Sequence, residues 1–244
     1  MSEIKFPTEE IKLPSNGLIY HKDNPLSSGV VEMKYMTARE EDILTNPNFI
    51  ERGVVLDKLL ESMIVSKIDV KDLVVGDKNA LFVASRILGY GADYAFTYKG
   101  ENHNINLSEL KNKEFDSKLL KDGEFNSFEY TLPSSKVLIT FKILNGHDEY
   151  KIEKELEGLE KVSKANSKPL TTRLKHLITS VDGDSDPKTI REFVDNYLLA
   201  RDSRAFREYA KSIQPDINLT YTLDGGEEVT IPIGITFFWP DFEG

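Results

Sequence analysis

Cysteine is absent from the 244 residues, which excludes disulfides, thiol nucleophiles and every cysteine-based zinc site. Long apolar runs are missing as well. No stretch approaches the run of about 18 apolar residues that a membrane-crossing helix needs. The opening MSEIKFPTEE lacks a basic segment followed by an apolar core, so neither a membrane span nor a secretory signal is expected. Positive charge is scarce: 31 Lys and Arg against 41 Asp and Glu leave a formal charge of −10. A nucleic-acid binder needs clustered Lys and Arg to displace phosphate counterions. The densest such grouping, Arg201, Arg204, Arg207 and Lys211, is interrupted by Asp202 and Glu208, so no nucleic-acid partner is expected.

Motifs for chemistry are equally sparse. No G-x-S-x-G and no G-x-x-x-x-G-K-S/T occurs, which leaves serine-hydrolase and P-loop chemistry without a signature. Gly89-Tyr90-Gly91 follows a helical stretch, whereas a phosphate loop lies between a strand and a helix. His21, His103, His147 and His176 never fall at metal-ligand spacing. Asp182-Gly183-Asp184-Ser185-Asp186 invites a calcium reading. An EF-hand loop starting at Asp182 would need glycine sixth and glutamate twelfth, and Pro187 and Phe193 stand there. The segment is expected to be a turn that caps a helix with Pro187 in its first position. No metal, no cofactor and no catalytic residue are therefore expected. Two carboxylates suffice for glycoside hydrolysis, but 41 acidic residues make some pair inevitable.

What is present is well-patterned secondary structure, with 39% hydrophobic and 30% charged residues in a length that allows one large domain or two small ones. Residues 27–46, SSGVVEMKYMTAREEDILTN, pass from a turn through a strand into a capped helix. Val31, Met33 and Tyr35 alternate with Glu32 and Lys34, the period of a half-buried strand. Thr37 and Glu40 have the spacing of a capping box. Asn46-Pro47 closes the helix, because a residue before proline is pushed out of the α region.

The run LPSNGLIYHKDNPLSSGVVEMKYMTAREEDILTN resembles the N-terminal signature of the T-even-type bacteriophage baseplate hub family. The resemblance continues less sharply through DKLLESMI, VGDKNALFVASRILGYGADYAFTY, ARDSRAFREY and FFWPDF, and is thin between about residues 109 and 168. It implies a structural or assembly subunit of the tail hub that acts on other tail-hub or baseplate proteins. Such a subunit is found in the virion baseplate, or in the infected host's cytoplasm during assembly. A hub-associated cell-wall hydrolase and a general assembly chaperone or adaptor are the alternatives.

Periodicity predicts the rest. A three-strand meander is expected over residues 4–36, with Leu18 and Tyr20 in its middle strand. Helices follow from about residue 54, and from Asp77 as N-cap to Gly89 as C-cap. A hairpin turns at Lys99–Asn102, and a strand pair lies around Pro133. A charged helix spans about residues 148–164, and three more carry Leu170 to Ile178, Ile190 to Leu198, and Ala205 to Ile213 behind an Asp202 cap. A final hairpin returns through one long strand at residues 229–239. Both hairpins follow a helix, which suggests a helix-plus-hairpin pseudo-repeat. The expected fold is α+β, small antiparallel units packed with helices, divided into residues 1–165 and 170–244 by a polar linker at 165–169. Four residues are candidates for a partner interface. Arg204 and Arg207 offer bidentate contacts from a helix, unless they are only solvated surface. Phe238 and Trp239 lie beside Pro240 near the chain end, Phe238 as either an outward anchor or a lid over a neighbouring helix.

Overall fold

The computed structural model describes residues 7–113, 115–121, 123–162, 168–223 and 225–238. β1 (Thr8–Lys12) pairs antiparallel with β2 (Val30–Lys34), Ile11 facing Val31 across the ladder. Val31 and Met33 are fully buried, as their alternation requires. The expected middle strand does not form. Residues 14–29 make a series of turns that leaves Leu18 exposed and turns Ile19 and Tyr20 inward. Close packing holds them: a Cβ on Gly17, whose φ is +77°, would lie 2.6 Å from the Gly29 nitrogen.

α1 (Ala38–Leu44), α2 (Pro47–Glu51) and α3 (Val55–Met63) follow. Glu40 reaches back to accept the Thr37 N–H at 2.9 Å and the Thr37 hydroxyl at 2.6 Å, closing the start of α1 as the spacing predicted. α4 (Val75–Tyr90) starts two residues before Asp77, so Asp77 sits inside the first turn and is not the N-cap. Nor is Gly89 the C-cap; that place belongs to Gly91, at φ 86°, while Gly89 presses on the Met36 side chain. β3 (Asp93–Tyr98) and β4 (Glu101–Asn106) form the expected hairpin. Its two-residue tip, Lys99-Gly100, has φ of 52° and 84°, the two positive values a tight hairpin turn selects. Arg86, 3% exposed, fastens helix to hairpin by donating to the carbonyls of Gly91 and Asp93.

After the short β5 (Asn112–Lys113) the plan begins again. β6 (Phe128–Thr131) pairs with β7 (Leu138–Phe141), and α5 (Gly146–Val162) and α6 (Pro169–Leu177) follow. Ile178, expected at the end of a helix, instead opens β8 (Ile178–Val181), which adds to β7. α7 (Pro187–Glu192), capped by Asp186, leads through a wide helical turn to α8 (Ala200–Ile213). β9 (Asp216–Ile217) pairs with β5, and β10 (Thr220–Thr222) with β11 (Glu228–Thr230). The long final strand stops at Thr230. Pro232 cannot donate to a ladder, and the chain turns into α9 (Ile235–Phe238).

The fold is α+β, and its two halves share contacts as well as order. Leu13-Pro14-Ser15 after β1 matches Leu132-Pro133-Ser134 after β6. The Leu13 N–H bonds the carbonyl before β2, and the Leu132 N–H the carbonyl before β7. Lys34, Thr37 and Glu40 match Lys142, Asn145 and Asp148, and both lysine–carboxylate pairs close at 2.7 Å. Met33 faces Ile64 across an isolated bridge as Phe141 faces Ile178 in β8. Asp77 in the first turn of α4 and Asp202 in that of α8 both hold the Leu-Pro-Ser turn of their own half. The hairpin tips then meet: Tyr98 and Lys99 both donate to Glu227.

The repeat boundary therefore lies between β4 and β6. The division expected at 165–170 is crossed by the β7–β8 and β5–β9 pairs and by one continuous apolar cluster. Residues 165–167 of the expected linker lie outside the described residues.

Candidate partner-binding groove

Helix α8 buries Phe206, Ala210 and Ile213 on one stripe and turns Arg204 and Arg207 away from it. Asp202 does not cap this helix; Leu199 does. The Asp202 carboxylate accepts the N–H groups of Ser134 and Ser135 at 2.7 and 2.9 Å. Its burial would raise the carboxyl's pKa, but these bonds outweigh that and hold it below the usual aspartate value. α8 is thereby fixed against the β6–β7 turn.

The two arginines then part company. Arg204 is 78% exposed and pairs with Glu208 at 2.9 Å one turn along, the solvated arrangement such spacing often makes. Arg207 leans over a groove of about 280 Å³ between α8 and α6. Its Nε donates to the Ser203 carbonyl one turn back at 3.3 Å. Leu144 and Leu174 are buried in the groove, while Leu170 and Val75 stand 45% and 44% exposed at its rim. Three cations line it, Arg173, Arg207 and Lys211, and among the described residues no carboxylate does. Arg173 is held by a bidentate pair with Glu149. In a chain of formal charge −10, an apolar trough edged by three cations is suited to an acidic amphipathic segment.

The other two interface candidates fare differently. Phe238 is fully buried, edge-on to Phe237 at 5.4 Å, and Phe237 packs on Tyr94. It is a lid within the core and offers no outward anchor, because α9 replaces the strand that would have turned it out. Trp239 lies outside the described residues.

Reading the sequence missed Arg173 and Leu170. Both were visible as one face of α6, where Leu170, Arg173, Leu174 and Leu177 recur at helical spacing. Asp77, expected only as a helix cap, has a different task. Its oxygens accept from the Ser15 N–H and hydroxyl and from the Tyr20 hydroxyl, at 2.6–2.9 Å. Burial pushes its pKa up against those bonds, and pushes Tyr20 up too. With no exposure at all, Asp77 is a tie between β1 and α4, not an acid poised for substrate. The Asp182 segment is the capped turn expected: Asp184 accepts the Asp186 N–H, and Asp186 that of Lys188.

Comparison of the chain with protein-family models, curated proteins and solved structures found no match. No helix among the described residues is long and apolar enough to cross a membrane.

Proposed function

We propose that this chain works by protein–protein recognition, as a structural or assembly subunit of a phage tail baseplate hub. The observation that carries the recognition reading is the groove between α6 and α8, with its apolar floor and its rim of Arg173, Arg207 and Lys211. Its occupant would be an acidic amphipathic segment of a tail-hub protein. Apolar side chains enter beside Leu144 and Leu174, and carboxylates meet the cations at the rim. The hub assignment rests on the N-terminal resemblance, whose LPSNG turn and EMKYMTAREEDIL corner are here parts of one packed unit.

The test is co-expression with the hub proteins of the same phage, read by co-purification. Arg207→Glu combined with Lys211→Glu should cut capture at least tenfold, since reversing a rim charge replaces attraction with repulsion, and should leave the melting temperature unchanged. Capture by the wild type that survives the double variant removes the groove from the proposal. A wild-type protein that captures no hub protein removes the hub assignment.

A further inference from the structure

Three metal-capable side chains distant in sequence converge where the two halves meet. Asp69 and Asp72 belong to the short turn before α4, and His147 is the second residue of α5. The junction is tight: Val74 bridges Asn145, and a Cβ on Gly146 would lie 2.9 Å from the Lys71 Cα. His147 Nε2 stands 3.2 Å from Asp69 Oδ2 and 3.3 Å from Asp72 Oδ1. The three ligand atoms all fall within 4.8 Å of one another.

Each carboxylate is oriented through its other oxygen. Asp69 Oδ1 accepts the Lys71 N–H at 2.9 Å, and Asp72 Oδ2 accepts from the Asn24 side chain at 2.9 Å. The inner oxygens are thus both aimed at one imidazole nitrogen. That nitrogen carries at most one proton, which can make a good hydrogen bond to only one of them. A divalent ion serves all three at once. With bonds of about 2.0–2.1 Å, ligand atoms around a tetrahedral zinc lie roughly 3.3 Å apart, close to the two separations between the imidazole nitrogen and the carboxylate oxygens. Partners that fix the outer ligand oxygens are a regular feature of metal sites.

The cluster is not a helix-capping device repeated in both halves. Leu199 precedes α8 as Val74 precedes α4, and the residues five and two places before it are Val194 and Tyr197. Arg39 holds the place of His147. The three ligand types coincide only at the junction.

We propose that Asp69, Asp72 and His147 bind a divalent transition-metal ion of the zinc class, fastening α5 to the first half, with water completing the ion's shell on the exposed side. Ligand spacing could not reveal this site, because the histidine lies more than seventy residues beyond its partners. The experiment is thermal melting of the full chain, freed of metal by chelation, with and without zinc chloride at about pH 7.5, where a free imidazole is neutral. Saturating zinc should raise the melting temperature by about 4 °C, and His147→Ala and Asp72→Asn should each abolish that rise. No rise in the wild type, or the same rise in both variants, overturns the site. Should His147→Ala fail to fold, Asp72→Asn decides: it keeps the side chain's size, so a retained zinc shift overturns the site and a lost one supports it.

Discussion

Helices α4 and α8 hold the same place in the two halves, yet one start is sealed and the other open. Val74, Val75, Gly76 and Asp77 correspond to Leu199, Ala200, Arg201 and Asp202. Val74 is 1% exposed and Leu199 51%. A Cβ on Gly76 would lie 2.7 Å from the Cα of Asp216, whereas Arg201 faces solvent. The second half folds back over the helix start of the first and pins it with Asn79 and Asp216. No described residue does the same for the second half. A repeated plan therefore gives unequal parts, and the covered copy leaves no room for a side chain at Gly76.

The sharpest way to break this comparison is to place the same side chain at both helix starts. Gly76→Ala should cost about 3 kcal/mol or more, because its methyl group meets backbone that cannot rotate away. Arg201→Ala should change stability by no more than about 0.5 kcal/mol. Denaturant midpoints for the two variants check this, and equal losses would mean that the clamp is not there.

The two first-turn aspartates come next. Asp77→Ala strands the donors of Ser15 and Tyr20 in the core and should cost about 2–4 kcal/mol. Asp202→Ala should cost less, since Ser134 and Ser135 lie in an exposed turn where water can replace the carboxylate. Their pH dependence should run in opposite senses. Asp77 has a raised pKa in the fold, so its contribution is present at low pH and is lost as pH rises through that value. Asp202 has a lowered one, so its contribution is present above the unfolded value and is lost as pH falls. Stability followed against pH in Asp77→Asn and Asp202→Asn separates the two signs.

Glu40 sharpens the picture within one half. Burial would raise its pKa, but hydrogen bonds from Lys34, Ser62 and Thr37 bring it down from 4.5 to about 2. Its stabilisation is therefore complete above about pH 4.5 and is lost progressively as pH falls towards 2. Glu40→Gln should flatten that part of the acid limb; an unchanged limb would show that the Lys34–Glu40 pair contributes nothing measurable.

Some of this is legible in the sequence alone. The β2–α1 corner and the β3–β4 hairpin depend on alternation, a capping box and a glycine turn, all signals within six residues of where they act. β8 was not legible, because Ile178 after Leu177 is apolar in either period and the strand that decides it lies some forty residues upstream. The Val229–Ile235 alternation was real, but Pro232 removed a ladder donor and let α9 form. The repeat stayed hidden because the loops between paired strands differ, seventeen residues between β1 and β2 against six between β6 and β7. Only Leu-Pro-Ser and the lysine–cap–carboxylate spacing survive to mark it. At the groove, Arg207 could be nominated from its helix. That Arg173 would stand opposite while Arg204 faced water depended on how α6 packs on α8.

The pairing of β5 with β9 joins residues about a hundred positions apart, and this matters for the order in which the molecule is made. All of the first half has been synthesised well before residues 215–217, yet the start of α4 stays uncovered until they arrive. At about 5–20 residues per second the nascent chain waits roughly 5–20 s with Gly76 and its surroundings open. A product that terminates before Pro215 would keep that face open permanently. Translation speed through the second half thus sets how long the unfinished protein presents a sticky surface to its neighbours.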